Sequence, residues 1–137
     1  MKGFFINNDK RLKLETWAGR FESTYVEEIM RGTKTIETRN KNMLRDLVGE
    51  RVAIVSTGRG KKPTVVGTVY IHDVEFIPAN LWDMYREDTL IPYGSKYDNK
   101  GDGKWGYILE DPQECDPFPL PDNAVRHGYS WCEFEEV

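Results

Sequence analysis

The 137-residue sequence is poor in the side chains that most metal and covalent chemistry requires. It has two histidines, His72 and His127, and two cysteines, Cys115 and Cys132, with no close ligand spacing among them. That excludes the usual zinc patterns, and neither a metal nor a cofactor is expected. Two cysteines far apart in a small intracellular chain read as free thiols rather than a disulfide. No Gly-x-Ser-x-Gly elbow is present, and only His72 and His127 are available as a base, so a serine hydrolase is a poor reading. The phosphate-binding spacing Gly-x-x-x-x-Gly-Lys-[Ser/Thr] is absent as well. The run Asp98 to Gly103 fails as a calcium loop, because Lys100 occupies its third position and Leu109 its twelfth. No apolar run approaches the length of a membrane span. The opening Phe4-Phe5-Ile6 yields at once to Asn7-Asn8-Asp9-Lys10, too short for a signal peptide. A cytoplasmic protein without membrane contact is expected.

What is present suits one globular domain over 1–137, with 39% hydrophobic and 31% charged residues, no internal repeat and no linker. The net charge of -4 hides an asymmetry. Residues 1–62 hold 14 Lys and Arg against 8 Asp and Glu, and residues 63–137 hold 5 against 15. A positive field over the first half is one consequence; cancellation by intermixing of the halves in space is the other.

Alternation predicts short strands at Phe4 to Ile6 and Leu12 to Trp17. Thr24 and Glu27 fit a capping box for a helix at about 24–31, whose apolar face is Tyr25, Val26, Ile29 and Met30, with Gly32 as its stop. Strands follow at 34–39, 51–56 and 64–77. The second is apolar on both faces and so central, and Gly67 marks a bulge in the third. Pro78 starts a short helix, and 86–104 reads as a long, mobile polar loop able to close as a lid. Lys104 to Glu110 is a strand, the prolines from Pro112 to Pro121 make an irregular stretch, and Tyr129 to Phe134 is a last strand. Trp17, Trp82 and Trp131 are expected in the core.

The densest chemistry lies in Gly32-Thr33-Lys34-Thr35-Ile36-Glu37-Thr38-Arg39. In a strand Glu37 and Arg39 share one face, and Lys34 stands where helix gives way to strand. An arginine fork suits phosphate or a base edge, a glutamate accepts from a base N–H, and a desolvated lysine serves as base or nucleophile. The plainer reading is a surface Glu37–Arg39 ion pair with Lys34 solvated, worth about 0–1 kcal/mol. If the three form a site, their value is in binding, and Lys34→Ala should shift stability by less than about 1 kcal/mol.

The pattern Gly32-x-Lys34-x-x-Glu37-x-Arg39 after an amphipathic helix resembles the ASCH domain family, over residues 21–77, and Trp105-Gly106-Tyr107 extends the likeness. The resemblance implies an α+β, PUA-like mixed β-barrel with short flanking helices, binding RNA or a modified nucleoside or nucleotide in a cleft beside the first helix. The resemblance points to Lys34, Glu37, Arg39 and Ser56 as ligand-binding, Ser56 reading also as an ordinary turn residue. Tyr93, Tyr97 and Trp105 join the candidate set by their own chemistry, as faces on which an unpaired base stacks or else as core packing. Some family members are amidohydrolases that deacylate a modified cytidine. They carry a threonine three residues after the motif lysine and a glutamate from a later strand. Here Glu37 takes the threonine position, and Glu75 and Glu110 are candidates for the later one. If the chain is an enzyme, amidohydrolase or ribonuclease, Lys34 and Glu37 are its catalytic candidates. A protein-interaction module using the acidic half is the third reading. The basic turn Gly58-Arg59-Gly60-Lys61-Lys62 reads either as a phosphate cradle or as a solvated hairpin tip.

Overall fold

The computed structural model describes residues 1–135. Its strands in chain order are β1 (Lys2–Asn7), β2 (Leu12–Thr16), β3 (Gly19–Ser23), β4 (Ile36–Arg39), β5 (Arg51–Gly58), β6 (Lys61–Ile77), β7 (Lys104–Pro119), β8 (Val125–His127) and β9 (Trp131–Glu133). Helix α1 (Tyr25–Arg31) precedes β4, and α2 (Arg86–Thr89) extends a 3-10 segment at Ala79–Tyr85. A seven-stranded mixed sheet runs in the order β4-β7-β6-β5-β1-β9-β8, while β2 and β3 form a separate hairpin. Among the described residues only β1 and β5 pair in parallel; the other pairs are antiparallel.

The apolar pattern of β1 and β5 explains their central place. Phe4, Ile6, Val52 and Ile54 enter the main core, which α1, β7 and the 3-10 segment cover. Phe5, Ala53 and Val55 enter a second cluster with Val65, Leu120, Cys132 and Phe134. Two-sided burial demands apolar residues at successive positions, as the two-sided strand predicts. Cys132 is buried and Cys115 exposed, and both are free thiols.

The sheet is curled but open, which corrects the closed barrel. Register shifts fall at three places along the β6–β7 pair, one of them at Gly67. A Cβ at Gly67 would lie 2.6 Å from the Gln113 carbonyl oxygen and 2.7 Å from Met30 Sδ, so only glycine permits that approach. The bend brings β4 round to β1, although β7, β6 and β5 lie between them in the sheet. β4 and β1 do not pair. β9 pairs with β1 only through Phe4, and one bond from Phe5 N–H to the Ser130 carbonyl lies beyond it. Instead an Arg39 side chain of β4 donates to the Phe5 carbonyl at 2.7 Å. A side chain thus bridges a gap that a ladder would close in a barrel.

Other departures have local causes. β7 runs on to Pro119 where an irregular stretch is expected, because its outer edge pairs with β4 at residues 105–108, adds one bond from the Leu109 N–H to the Thr35 carbonyl, and has no ladder partner where the prolines fall. Trp17 is 87% exposed, since it lies in the two-residue tip of the β2–β3 hairpin. Trp82 is buried and Trp131 half-buried against His127. The segment 86–104 is not a free polar loop. It opens with α2, buries Thr89, Leu90 and Ile91, and closes around the Asp98 carboxylate. Asp98 accepts from Trp82 Nε1, Arg86 and the backbone N–H groups of Gly94 and Asn99 at 2.7–2.8 Å. Among the described residues no helix is long and apolar enough to cross a membrane.

Candidate functional site

The gap between β4 and β1 holds the charged motif, and α1 determines how the motif enters it. Thr24 caps the helix by accepting from the Glu27 N–H at 3.1 Å. The Glu27 side chain does not complete the capping box; it pairs with Arg11. Gly32, at φ 80°, ends the helix in the left-handed conformation that a residue with a Cβ adopts at a cost. The N–H groups of Thr33 and Lys34 then both return to the Glu28 carbonyl at 3.0 Å. The Glu28 carboxylate is buried and accepts from Ser23, Arg31 and Thr33. This knot leaves Lys34 one way to go, into the protein.

Lys34 is 2% exposed, which overturns the solvated lysine of the surface reading. Its Nζ donates to the Thr89 carbonyl at 2.7 Å, capping the end of α2, and sits 4.6 Å from the centre of the Tyr25 ring. The nearest carboxylate oxygen, Glu37 Oε1, is 3.8 Å away. The other oxygen of Glu37 binds Arg39 at 3.0 Å. Burial lowers the Lys34 pKa from its ordinary 10.5 to about 8, more than the Glu37 carboxylate restores. The lysine is thus exchangeable near neutral pH, as a base or nucleophile must be. Leu90, directly after Thr89, holds φ 59°, rare for leucine.

Around these groups is a cavity of about 370 Å³, within the range of small-molecule sites. Lys34, Glu37, Arg39 and Tyr97 line it, so the structure brings together four of the seven residues proposed from sequence. Ser56 is not in its lining, although the next residue, Thr57, is. Tyr93 is 72% exposed and lies against Arg86 instead. Trp105 stands opposite Arg39 in the β4–β7 ladder but packs edge-on against Phe76. Glu75 and Glu110 are exposed and outside the cavity, and Glu110 lies 3.7 Å from His72. Among the described residues no three His, Cys, Asp or Glu side chains gather as a metal would need.

Two lining residues escape a reading of the sequence as a site. Tyr25 looks like one more apolar residue of α1, yet its ring forms the wall beside Lys34. Burial raises its hydroxyl pKa, so the phenol stays protonated and able to donate. Lys104, at the start of β7, is 7% exposed and has no ion pair or side-chain hydrogen bond among the described residues. Burial lowers its pKa as well, although Glu37 and Asp98 oppose the shift. A lysine directly after Gly101-Asp102-Gly103 reads as a loop residue; only the packing of the loop against Trp82 buries it.

The site and fold together define a class: a curled mixed sheet with a cationic cavity in the gap between β4 and β1. Solved structures of the ASCH protein from Zymomonas mobilis have this fold. The unmodified protein matches with a TM-score of 0.61 and 22% identity over 86% of this chain and 73% of that one. Two point mutants of the same protein match at TM-scores of 0.61 and 0.60, again at 22% identity. The chain therefore has the ASCH-domain fold. No family model and no curated protein matches the sequence.

Proposed function

We propose that the cavity between β4 and β1 binds an RNA nucleotide or a nucleotide-like ligand. The observation that carries this reading is the imbalance of its charges. Lys34, Arg39 and Lys104 face one carboxylate, Glu37, and Lys104 is buried without a carboxylate partner. Cations that outnumber their carboxylates in a partly desolvated cavity favour a ligand that supplies the anion. Phosphate or carbonyl oxygens meet the cations, Glu37 accepts from a base N–H, and the rings of Tyr25 and Tyr97 supply stacking surface. The two rings meet edge to face, with centroids 5.9 Å apart.

A titration of nucleoside monophosphates and short RNAs tests it. Lys104→Ala should lose about ten- to hundredfold in affinity, the worth of one charge-assisted hydrogen bond. Unchanged affinity in a folded Lys104→Ala variant would sink the reading.

The depressed pKa of Lys34 favours a second reading, hydrolysis at the same place. A neutral Lys34 would take a proton from water or a ribose hydroxyl, with Glu37 stabilising the resulting ammonium. Glu37 stands where the amidohydrolases that this motif resembles have threonine, so the hydrolytic set differs from theirs. Release of a carboxylate from an acylated cytidine, or of fragments from RNA, that Lys34→Met abolishes even at saturating substrate would establish it. No product from either substrate excludes it.

A further inference from the structure

A second cavity, of about 500 Å³, adjoins the first and shares Asn7, Tyr25 and Tyr97 with it. Its wall carries four exposed cations, Lys10, Lys13, Arg59 and Lys96, against one carboxylate, Asp9. They come from three separate segments: the loop and strand after β1, the β5–β6 turn, and the 90–103 loop. Convergence from three places is not the regular spacing of one solvated strand or helix face.

Two details separate this wall from ordinary basic surface. None of the four cations is in an ion pair among the described residues, whereas Arg11, Arg20 and Arg51 nearby in sequence each have a carboxylate. Asp9 does not neutralise them as a salt-bridge partner. It accepts from the Arg59 backbone N–H at 3.1 Å and so fixes the basic turn against the groove. In addition, Lys96 Nζ lies 5.5 Å from the centre of the Tyr97 ring, which faces both cavities. A cation thus stands next to a stacking surface, as a nucleotide's phosphate stands next to its base.

We propose that this groove holds the phosphodiester backbone of a single-stranded nucleic acid whose adjoining nucleotide occupies the first cavity. The inference rests on the nucleotide reading of that cavity and extends it from a free nucleotide to a polymer. The strand must be single, because a base reaches the first cavity only when unpaired and unstacked. It also gives the turn Gly58 to Lys62 a task, that of carrying Arg59 into the groove.

The test is fluorescence anisotropy with an end-labelled degenerate octaribonucleotide, titrated at several salt concentrations. Wild type is compared with a Lys13→Ala, Arg59→Ala double variant and with Lys34→Met. Each lost phosphate contact flattens the slope of log affinity against log salt by about 0.7 for a single strand, so the double variant should flatten it by about 1.4. Its octamer affinity should fall about tenfold or more at 0.1 M salt, while its affinity for nucleoside monophosphates stays within about twofold. An unchanged slope and affinity in the double variant overturns the proposal. Equal losses for octamer and monophosphate also overturn it, since the groove would then be only a phosphate subsite of the cavity. If the double variant loses octamer binding and Lys34→Met does not, the groove stands and the cavity reading falls. A wild type that binds nucleoside monophosphates but no octamer defeats the groove and leaves the cavity reading; one that binds neither defeats both. The same pool as DNA, run alongside, separates RNA from DNA as the source of the chain.

Discussion

Two buried charge clusters lie near each other in this molecule and behave oppositely. Around Asp98, three neutral donors and the Arg86 guanidinium converge on one carboxylate. Although burial opposes ionisation, these donors hold the Asp98 pKa below its ordinary 3.8. Around Lys34 the protein supplies one carbonyl and a carboxylate at 3.8 Å that is already engaged by Arg39. There burial wins, and the charged form is disfavoured. The first cluster is closed and staples a loop. The second is under-compensated, opens into a cavity and has a further buried cation, Lys104, beside it. Burial of charge alone does not mark a site; burial of charge left incompletely satisfied does.

The comparison breaks most visibly at Asp98. Asp98→Ala strands the Trp82 indole, the Arg86 guanidinium and the Gly94 N–H together, and should cost about 3–5 kcal/mol in urea unfolding. Asp98→Asn keeps the shape and loses the charge, with a cost of about 1.5–3 kcal/mol. Because the folded pKa is depressed, the contribution of Asp98 is present above pH about 3.8 and is lost as pH falls through the lower folded value. A wild type no more stable than Asp98→Ala at pH 7 would mean that the staple is not one.

The opposite result is expected at Lys34. Between pH of about 8 and 10.5 the unfolded chain binds more protons than the folded one, so stability should rise with pH across that window. The penalty below it is about 3 kcal/mol, from the displaced pKa at 1.36 kcal/mol per unit. Lys34→Met should therefore flatten the rise and be about 1–3 kcal/mol more stable than wild type at pH 7. The same variant should bind nucleotide about ten- to hundredfold more weakly. Unfolding of Lys34→Met at pH 7 would show that the lysine is structural, like Asp98.

Glu37→Gln sharpens the contrast with a smaller change. Removing the carboxylate takes away what holds the Lys34 pKa up, so that pKa should fall further below about 8. Titration of the Lys34 side chain by NMR reads this directly, and an unchanged or raised value would show that the two groups are uncoupled. The smallest effect is expected at Tyr93, outside the cavity. Tyr93→Ala should leave stability within about 0.5 kcal/mol and nucleotide affinity within about twofold. A larger loss of affinity would mean that the 90–103 loop closes further over the ligand than its staple allows.

Much of this was legible in the chain. The capped helix ending at Gly32, the two-sided strand at Val52 to Val55, the bulge at Gly67 and the gathering of Lys34, Glu37 and Arg39 follow from local rules. Periodicity, capping and glycine stereochemistry act within a few residues and leave their mark in order. Tertiary structure alone decided the rest. That the sheet stays open between β4 and β1 depends on where β9 leaves β1 and on one arginine reaching a carbonyl across the gap. That Lys34 is buried and Lys104 stands beside it depends on Thr89, Trp82 and the Asp98 staple, which are 48 to 64 residues beyond Lys34. Solvation is a property of everything packed around a group, so a motif can state which charges meet, and only the fold states how much water they keep.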